Sequence, residues 1–497
     1  MANIERLNSR SAIGQRPSVL PWLGILFAGS AALGAWFLIG PALGAGPYYK
    51  VGWHRTAYQY SAQIVLLFIP WALALWAWRR GARASVRLLI GGAVLLHVLV
   101  LFAPLPQSQD FYQYLFYGKI QAIHGANPFV VNPNRFWADP WFPWIRWNTQ
   151  PSVYGPAWIL LSFSVAKVIG SHLTLAFATL KLVILALDIA VMAMIVALGR
   201  DRPDPERAAG WGLLAFAWNP LVLITVPLAG SADIGIVAAF LGAILARRRG
   251  RDGLATVLLT LAALVKIYAV IGLVLHLVLL ARERGSRRTA AHAAGAAGLA
   301  AVAYAPYWAG LSTFRGLGEA SRITNLGLAG TIQRSILTPI LHWVGVAHWH
   351  PEASLAIRVV GVVVLLWAAV WAVRQARDER RLWWGALVVL TAYVIATPWF
   401  FYWYLLGPVA LVAVLPRNRL TYPILTFAAT SLITISIPWP SAISIVQAVL
   451  RYGPPVAVFA LQRFGREATR EEERPGRVVA LPVPTGAILP RATPAAK

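Results

Sequence analysis

Residues 88–128 read LLIGGAVLLHVLVLFAPLPQSQDFYQYLFYGKIQAIHGANP. An apolar run, Leu88 to Leu105, is followed within a few residues by a carboxylate, Asp110, which opens an aromatic-rich stretch. The run is close to the roughly 20 residues a helix needs to cross a hydrocarbon core. A carboxylate just beyond such a run is costly unless it has a partner or a task.

The rest of the chain repeats the first half of that pattern. Of 497 residues, 58% are hydrophobic and 12% charged, about half the usual charged share of a soluble domain. Apolar runs of roughly 15 to 25 residues follow one another with short basic clusters between them, the pattern of a polytopic membrane protein. The expected fold is all-α: a transmembrane helical bundle of about 13 membrane segments with short re-entrant helices.

The formal charge of +26 comes from clusters such as Arg79, Arg80, Arg83 and Arg87, or Arg282, Arg284, Arg287 and Arg288. Each cluster sits between two apolar runs, so positive-inside topology accounts for the charge and no nucleic-acid partner is expected. The absence of cysteine excludes disulfides and thiolate chemistry.

With the basic clusters on the cytoplasmic side, residues 1–18 form a cytoplasmic segment and residues 19–87 an N-terminal transmembrane hairpin. The first apolar run, Val19 to Leu43, is too long for a signal-peptide h-region and is expected to remain as an anchor. Residues 88–461 form a membrane core with two large outer loops, 106–150 and 309–354. The polar, Pro-rich stretch 462–497 is expected to be a disordered cytoplasmic tail. Asp110 then lies on the extracytoplasmic face. Leu254 to Ala281 must go out and back in 28 residues, where two full crossings need about 40. Broken helices lining a wet cavity are expected there and over Ala209 to Leu245.

Twelve aromatic residues fall within residues 106–150, as an interfacial belt would place them and as a sugar-binding face would too. Asp110, Gln113, Tyr114, Tyr117 and Gln121 follow helical spacing on one face. Asp110 is either a helix N-cap, with Gln113 reaching back in a capping box, or a base. Asp188, Asp233 and Lys266 lie within apolar segments, where hydrocarbon tolerates charge poorly; Asp188 also suits a structural pair inside the bundle. Arg315, Glu319, Arg322 and Arg334 form a loose basic set that faces either a phosphate or solvent. Lys119 and His124 suit the headgroup surface as well as the site. His348, His350 and Glu352 lack a fourth ligand, and no metal is assigned to them.

Six segments in order carry a resemblance: SQDFYQYLFYGKIQAIHGANPF from Ser108, TQPSVYGPAW from Thr149, AWNPLVL from Ala217, GSAD from Gly230, VKIYAV from Val265 and PWFFYWYLLGP from Pro398. Together they resemble the polyprenol-phosphate-sugar-dependent membrane glycosyltransferases of the GT-C superfamily, within it family 87 and the alpha-1,6-mannopyranosyltransferases. The resemblance implies a GT-C type bundle and an extracytoplasmic site in which an Asp of the first outer loop is the base. Asp110 holds that position. The family's Gly-His-Asn-Asp-like turn reads Gly230, Ser231, Ala232, Asp233 here, without the His and Asn.

The implied enzyme is a hexosyltransferase, surrounded by the lipid bilayer, that takes a sugar, by family default mannose, from a polyprenyl-phosphate donor to an extracytoplasmic glycan or glycolipid acceptor. Such a reaction needs a base for the acceptor hydroxyl and cations near the departing phosphate oxygen. Asp110 is the expected base. Tyr114, Tyr117, Asp233, Lys266, Arg315 and Arg322 are the expected substrate-binding residues, with Lys266, Arg322 and Arg315 as the cations. A lipid monophosphate carries little enough charge for Arg or Lys to replace a divalent metal, so no cofactor is expected. A transporter or flippase of a lipid-linked substrate is the alternative.

Overall fold

The computed structural model describes residues 18–39, 53–101, 110–321, 327–345, 350–437 and 444–462, and every regular element among them is helical. Sixteen of the helices organise the molecule. The first half comprises α1 (Leu20–Ile39), α2 (Trp53–Arg79), α3 (Val86–Val100), α4 (Asp110–Ala122), α5 (Pro156–Ile169), α6 (Leu173–Arg200), α7 (Pro205–Ala215) and α8 (Asp233–Arg248). The second comprises α9 (Asp252–Val265), α10 (Val270–Arg284), α11 (Ser286–Tyr304), α12 (His350–Gln375), α13 (Glu379–Ala396), α14 (Leu406–Val414), α15 (Thr421–Ser436) and α16 (Ser444–Leu461).

Local sequence sets where these helices begin. Ser85 caps α3, its hydroxyl accepting from the Leu88 N–H at 3.1 Å. Asp204 does the same for α7 through the Arg207 N–H, ahead of a proline in the first turn. These are the positions where an oxygen acceptor and a missing N–H cost least.

Sequential helices pack as pairs: α4 on α5, α6 on α7, α8 on α9, α12 on α13 and α15 on α16. Gly118 permits the first of these, because a Cβ there would lie 2.3 Å from the Ser162 backbone. The N-terminal pair α1 and α2 folds on itself, and α2 packs against α7 and α15. Every residue of α14 is buried, which makes it the axis of the bundle.

Length and composition mark three helical stretches as able to cross a membrane, Ala62–Arg79, Leu173–Arg200 and Leu355–Gln375, or four if the bent pair Pro205–Ala215 and Pro220–Leu228 counts as one. Seven further apolar helices are shorter. Thirteen full crossings are therefore not what the described helices supply. A 15-residue helix such as α3 spans only about 22 Å, short of the ~30 Å core.

Two breaks in these short helices matter for function. After α7 the chain bends by 56° at residues 216–219. It continues through Pro220–Leu223 into a widened π-helical turn, Ile224–Leu228. Pro227 lies inside that turn, where its missing N–H interrupts the ladder. The second break is at Lys266, whose extended backbone separates α9 from a short 3-10 turn and α10.

Buried polar contacts stitch the breaks to the bundle. Asp188 on α6 meets His97 on α3, Oδ2 to Nδ1 at 2.5 Å, both side chains fully buried. The other ring nitrogen of His97 donates to the Ala217 carbonyl at the first break. Asp188 thus has the structural partner its position allowed. Lys181, also fully buried, donates to the carbonyls of Pro227 and Leu228 at 2.6 and 2.5 Å, satisfying groups the π turn leaves open.

Candidate active site

Asp110 opens α4, and its carboxylate is held by two aromatic donors from the segment that follows. Trp147 donates its indole N–H to Oδ1 at 2.9 Å, and Tyr154 donates its hydroxyl to Oδ2 at 3.2 Å. Gln113 does not reach back to form a capping box. Its amide instead clasps the Trp147 backbone, accepting from the N–H at 3.0 Å and donating to the carbonyl at 3.3 Å. The segment around Trp147 is therefore bound to α4 so that its indole is aimed at the carboxylate.

Burial pushes the Asp110 carboxyl above the usual carboxylate range. The Trp147 hydrogen bond, the nearby Lys266 charge and the Tyr154 hydroxyl oppose that rise without cancelling it. Burial and the adjacent Asp110 charge keep the Tyr154 hydroxyl firmly protonated, in keeping with its role as donor.

Lys266 and Asp233 arrive from the two breaks. Asp233 is the first residue of α8 and Lys266 the extended residue after α9; Lys266 Nζ donates to Asp233 Oδ2 at 2.6 Å. Tyr268 donates to the other oxygen, and the Ser231 hydroxyl adds a 2.9 Å bond. The Gly155 N–H donates to the Val265 carbonyl at 2.8 Å, which sets the YGP segment against the break. The Lys266 ammonium stands 5.4 Å from the Tyr154 ring and 5.1 Å from that of Tyr404.

These groups surround a cavity of about 480 Å³. Asp110, Tyr117 and Lys266 line it. Tyr117 also donates to the Gln150 carbonyl at 2.8 Å. Tyr114 does not line the cavity: its ring packs edge-on behind Tyr154, with centroids 4.6 Å apart. Asp233 too stands behind the wall, reaching the cavity only through Lys266 and Tyr268. Arg315 lies off the cavity and pairs with Glu319 at 2.7 Å, one turn along its own short helix. Arg322 lies outside the described residues, as do the side chains of Arg334, His348, His350 and Glu352. Among the described residues, no group of three acidic or imidazole side chains is placed to hold a metal ion.

Lys119 and His124 serve the segment that follows α4, not the cavity. Lys119 donates to Asp139 Oδ1 and His124 Nε2 to Oδ2, both at 2.8 Å. Burial raises the Asp139 carboxyl, but the Lys119 bond, the Trp141 N–H and His124 outweigh it and hold the group below its usual range.

The far wall is one stripe of α12: Arg358, Gly361, Val362 and Leu365. Their spacing of three, four and seven residues is one helical face. Other faces of α12 expose Val359, Val360, Val363, Leu366 and Trp367, so the cavity stands at an edge of the bundle whose outer surface is apolar. Arg358 was hidden in sequence because it is a single cation in a long apolar run with no motif around it.

Residues 21–282, more than half of the chain, match the family model described as "Alpha-(1->6)-mannopyranosyltransferase, N-terminal domain". The chain belongs to this family. It is a membrane glycosyltransferase. A relative, "Alpha-(1->6)-mannopyranosyltransferase A" of Mycobacterium tuberculosis (strain ATCC 25618 / H37Rv), is 26% identical over 412 residues, covering 74% of each chain. The family match includes both halves of the glycosyltransferase's polar cluster, Asp110 with Tyr154 and Asp233 with Lys266, and stops short of the α12 wall.

Proposed function

We propose that the enzyme transfers a mannosyl unit from a polyprenyl-phosphate sugar to a glycan or glycolipid, on the extracytoplasmic face of the plasma membrane, with Asp110 as the base. The observation that carries this reading is a buried carboxylate on the wall of a cavity that also presents Lys266 and Arg358. The carboxylate accepts the proton of the acceptor hydroxyl as that oxygen attacks the anomeric carbon. The new C–O bond forms on the face opposite the breaking bond to phosphate, and the electron pair leaves with the polyprenyl phosphate. Among the described residues, Lys266 and Arg358 are the cations on the cavity wall that would face that departing oxygen, in a setting where charge stabilisation is worth more than in water. The stripe below Arg358 offers Val362 and Leu365 to the first units of the lipid chain.

The relative's name specifies an α-(1→6) link. A single displacement inverts the anomeric carbon, so an α product requires a donor whose phosphate is β-linked. Feeding membranes that contain the protein with α- and β-linked polyprenyl-phosphate mannose, and weighing the product, tests donor and stereochemistry together. Transfer from the β-linked donor is expected. Equal use of the α-linked donor would remove the single-displacement mechanism.

A further inference from the structure

A second cavity, of about 540 Å³, opens at the opposite end of the bundle. It sits among helix ends: α2 and α6 finish there, at Arg79 and Arg200, and α7 and α13 begin there. Four arginines from three separate segments line it, Arg202 and Arg207 around the start of α7, Arg380 on α13 and Arg417 after α14, with Trp78 and Trp211 among the apolar lining. Asp204 is the one carboxylate in the lining and is already bound to Arg83 at 3.0 Å.

Positive-inside topology explains basic residues on this face, but not their gathering around a hollow. Other arginines of the face are neutralised locally. Arg247 pairs with Asp252 and Glu283, and Arg248 with Asp201 and Glu379. Arg207, Arg380 and Arg417 form no ion pair with a carboxylate among the described residues. Arg202 is fixed to the Val414 carbonyl at 2.8 Å, and the Arg417 guanidinium stands 5.6 Å from the Trp211 ring. Arg202 and Arg207 are half-buried and Arg380 and Arg417 exposed, so water screens their mutual repulsion while the four together draw an anion to the cavity.

The depth of the cavity suits a lipid. Trp76 on α2 is half exposed with the Arg80 guanidinium 5.3 Å from its ring, an arrangement typical of the membrane–water boundary. Trp78 lines the cavity two residues further on. Leu66 and Ile69 of the same helix present apolar side chains outward, toward the place of acyl chains. A basic pocket between helix ends on the cytoplasmic side is the physical form of an anionic headgroup site.

We propose that this cavity binds the phosphate of an anionic glycerophospholipid headgroup, remote from the glycosyl-transfer site, with Arg380 and Arg417 as its principal ligands. The full-length protein in detergent, titrated with phosphatidylglycerol or phosphatidylcholine and read by native mass spectrometry, tests it. Wild type is expected to retain phosphatidylglycerol selectively. The double variant R380Q/R417Q is expected to lose about tenfold or more of that affinity. The variant R287Q/R288Q, altered on the same basic face but off the cavity, is expected to keep it. Equal loss in both variants would overturn the proposal in favour of general surface attraction. Unchanged binding in R380Q/R417Q would overturn it outright. Displacement of the lipid by inorganic phosphate alone, at millimolar concentration, would assign the cavity to a free anion instead.

Discussion

Lys266 is hydrogen-bonded to Asp233 at 2.6 Å, although Asp110 is the carboxylate that lines the cavity beside it. Asp233 therefore holds the ammonium by a direct bond, while Asp110 takes hydrogen bonds from Trp147 and Tyr154. The pair is nearly dry, with Asp233 1% and Lys266 8% exposed. Removing one member strands the other's charge, which costs about 3–5 kcal/mol in a buried pair. Lys266→Met and Asp233→Asn should each lower the melting temperature of the purified protein. The double variant should regain much of that stability, because no charge is left alone, while transfer remains lost. Recovery of transfer along with stability would show that Lys266 serves only the fold.

Asp110→Asn tests the proposed base apart from the scaffold. The amide keeps the shape and can still accept from Trp147, so the protein should stay folded while turnover falls by about 10²–10⁴-fold. The sign of its stability effect follows from the raised pKa. The folded carboxyl holds its proton more tightly than the unfolded chain does, so folding is penalised as pH rises from the unfolded value, about 3.9, through the folded one. At neutral pH the variant should melt no lower than wild type. A variant both inactive and markedly unstable would point to a structural role.

The same shift predicts a pH profile. Asp110 accepts a proton only when ionised, so kcat/KM should fall as pH drops through its pKa, with the acid limb above the ordinary carboxylate range. Trp147→Phe removes a hydrogen bond that favours the ionised form and should move that limb to higher pH. A limb that stays in place in Trp147→Phe would assign it to another group.

Asp110 and Lys266 were legible in sequence because a charge near an apolar run stands out against its surroundings. The broken backbone at Lys266 was legible too, since 28 residues cannot make two crossings. What sequence spacing does not carry is contact through space. Tyr114 and Tyr117 share a face with Asp110, yet only Tyr117 reaches the cavity, because Tyr154 arrives from another segment and covers Tyr114. Gln113 had the spacing of a capping partner, and its actual partner is a backbone 34 residues away. The cations divided in the same manner: Arg315 belongs to a local i,i+4 pair, and the arginine that lines the cavity among the described residues comes from α12.

That division is testable by substitution. Arg315 is exposed and paired off the cavity, so Arg315→Gln should change turnover by no more than about twofold, as exposed pairs contribute little. Arg358→Gln removes a guanidinium from the cavity wall and should raise the KM for the polyprenyl-phosphate donor and lower kcat. Arg358→Lys should recover part of the loss, since an ammonium supplies charge without the bidentate fork. The opposite order, with Arg315 the sensitive position, would move the phosphate to the loop.

Gly230 couples the two halves of the site. Its φ of +70° is a backbone region that side chains rarely adopt, and a Cβ there would lie 2.3 Å from the Phe111 ring. Phe111 is the neighbour of Asp110, and Lys181 stands 5.4 Å from the same ring while it holds the turn that leads to Gly230. Gly230→Ala must therefore move either the turn, which carries Asp233, or the ring, which sets Asp110. Either movement disturbs the approach of base to acceptor, and small displacements in such geometry cost about 10²-fold in rate. The expected result is a loss of turnover of that order, with retained protein showing a lower melting temperature. Phe111→Leu in the same chain shortens the obstructing side chain and should restore part of the stability lost in Gly230→Ala. If the second substitution brings no recovery, the contact between Gly230 and Phe111 is not what confines this turn.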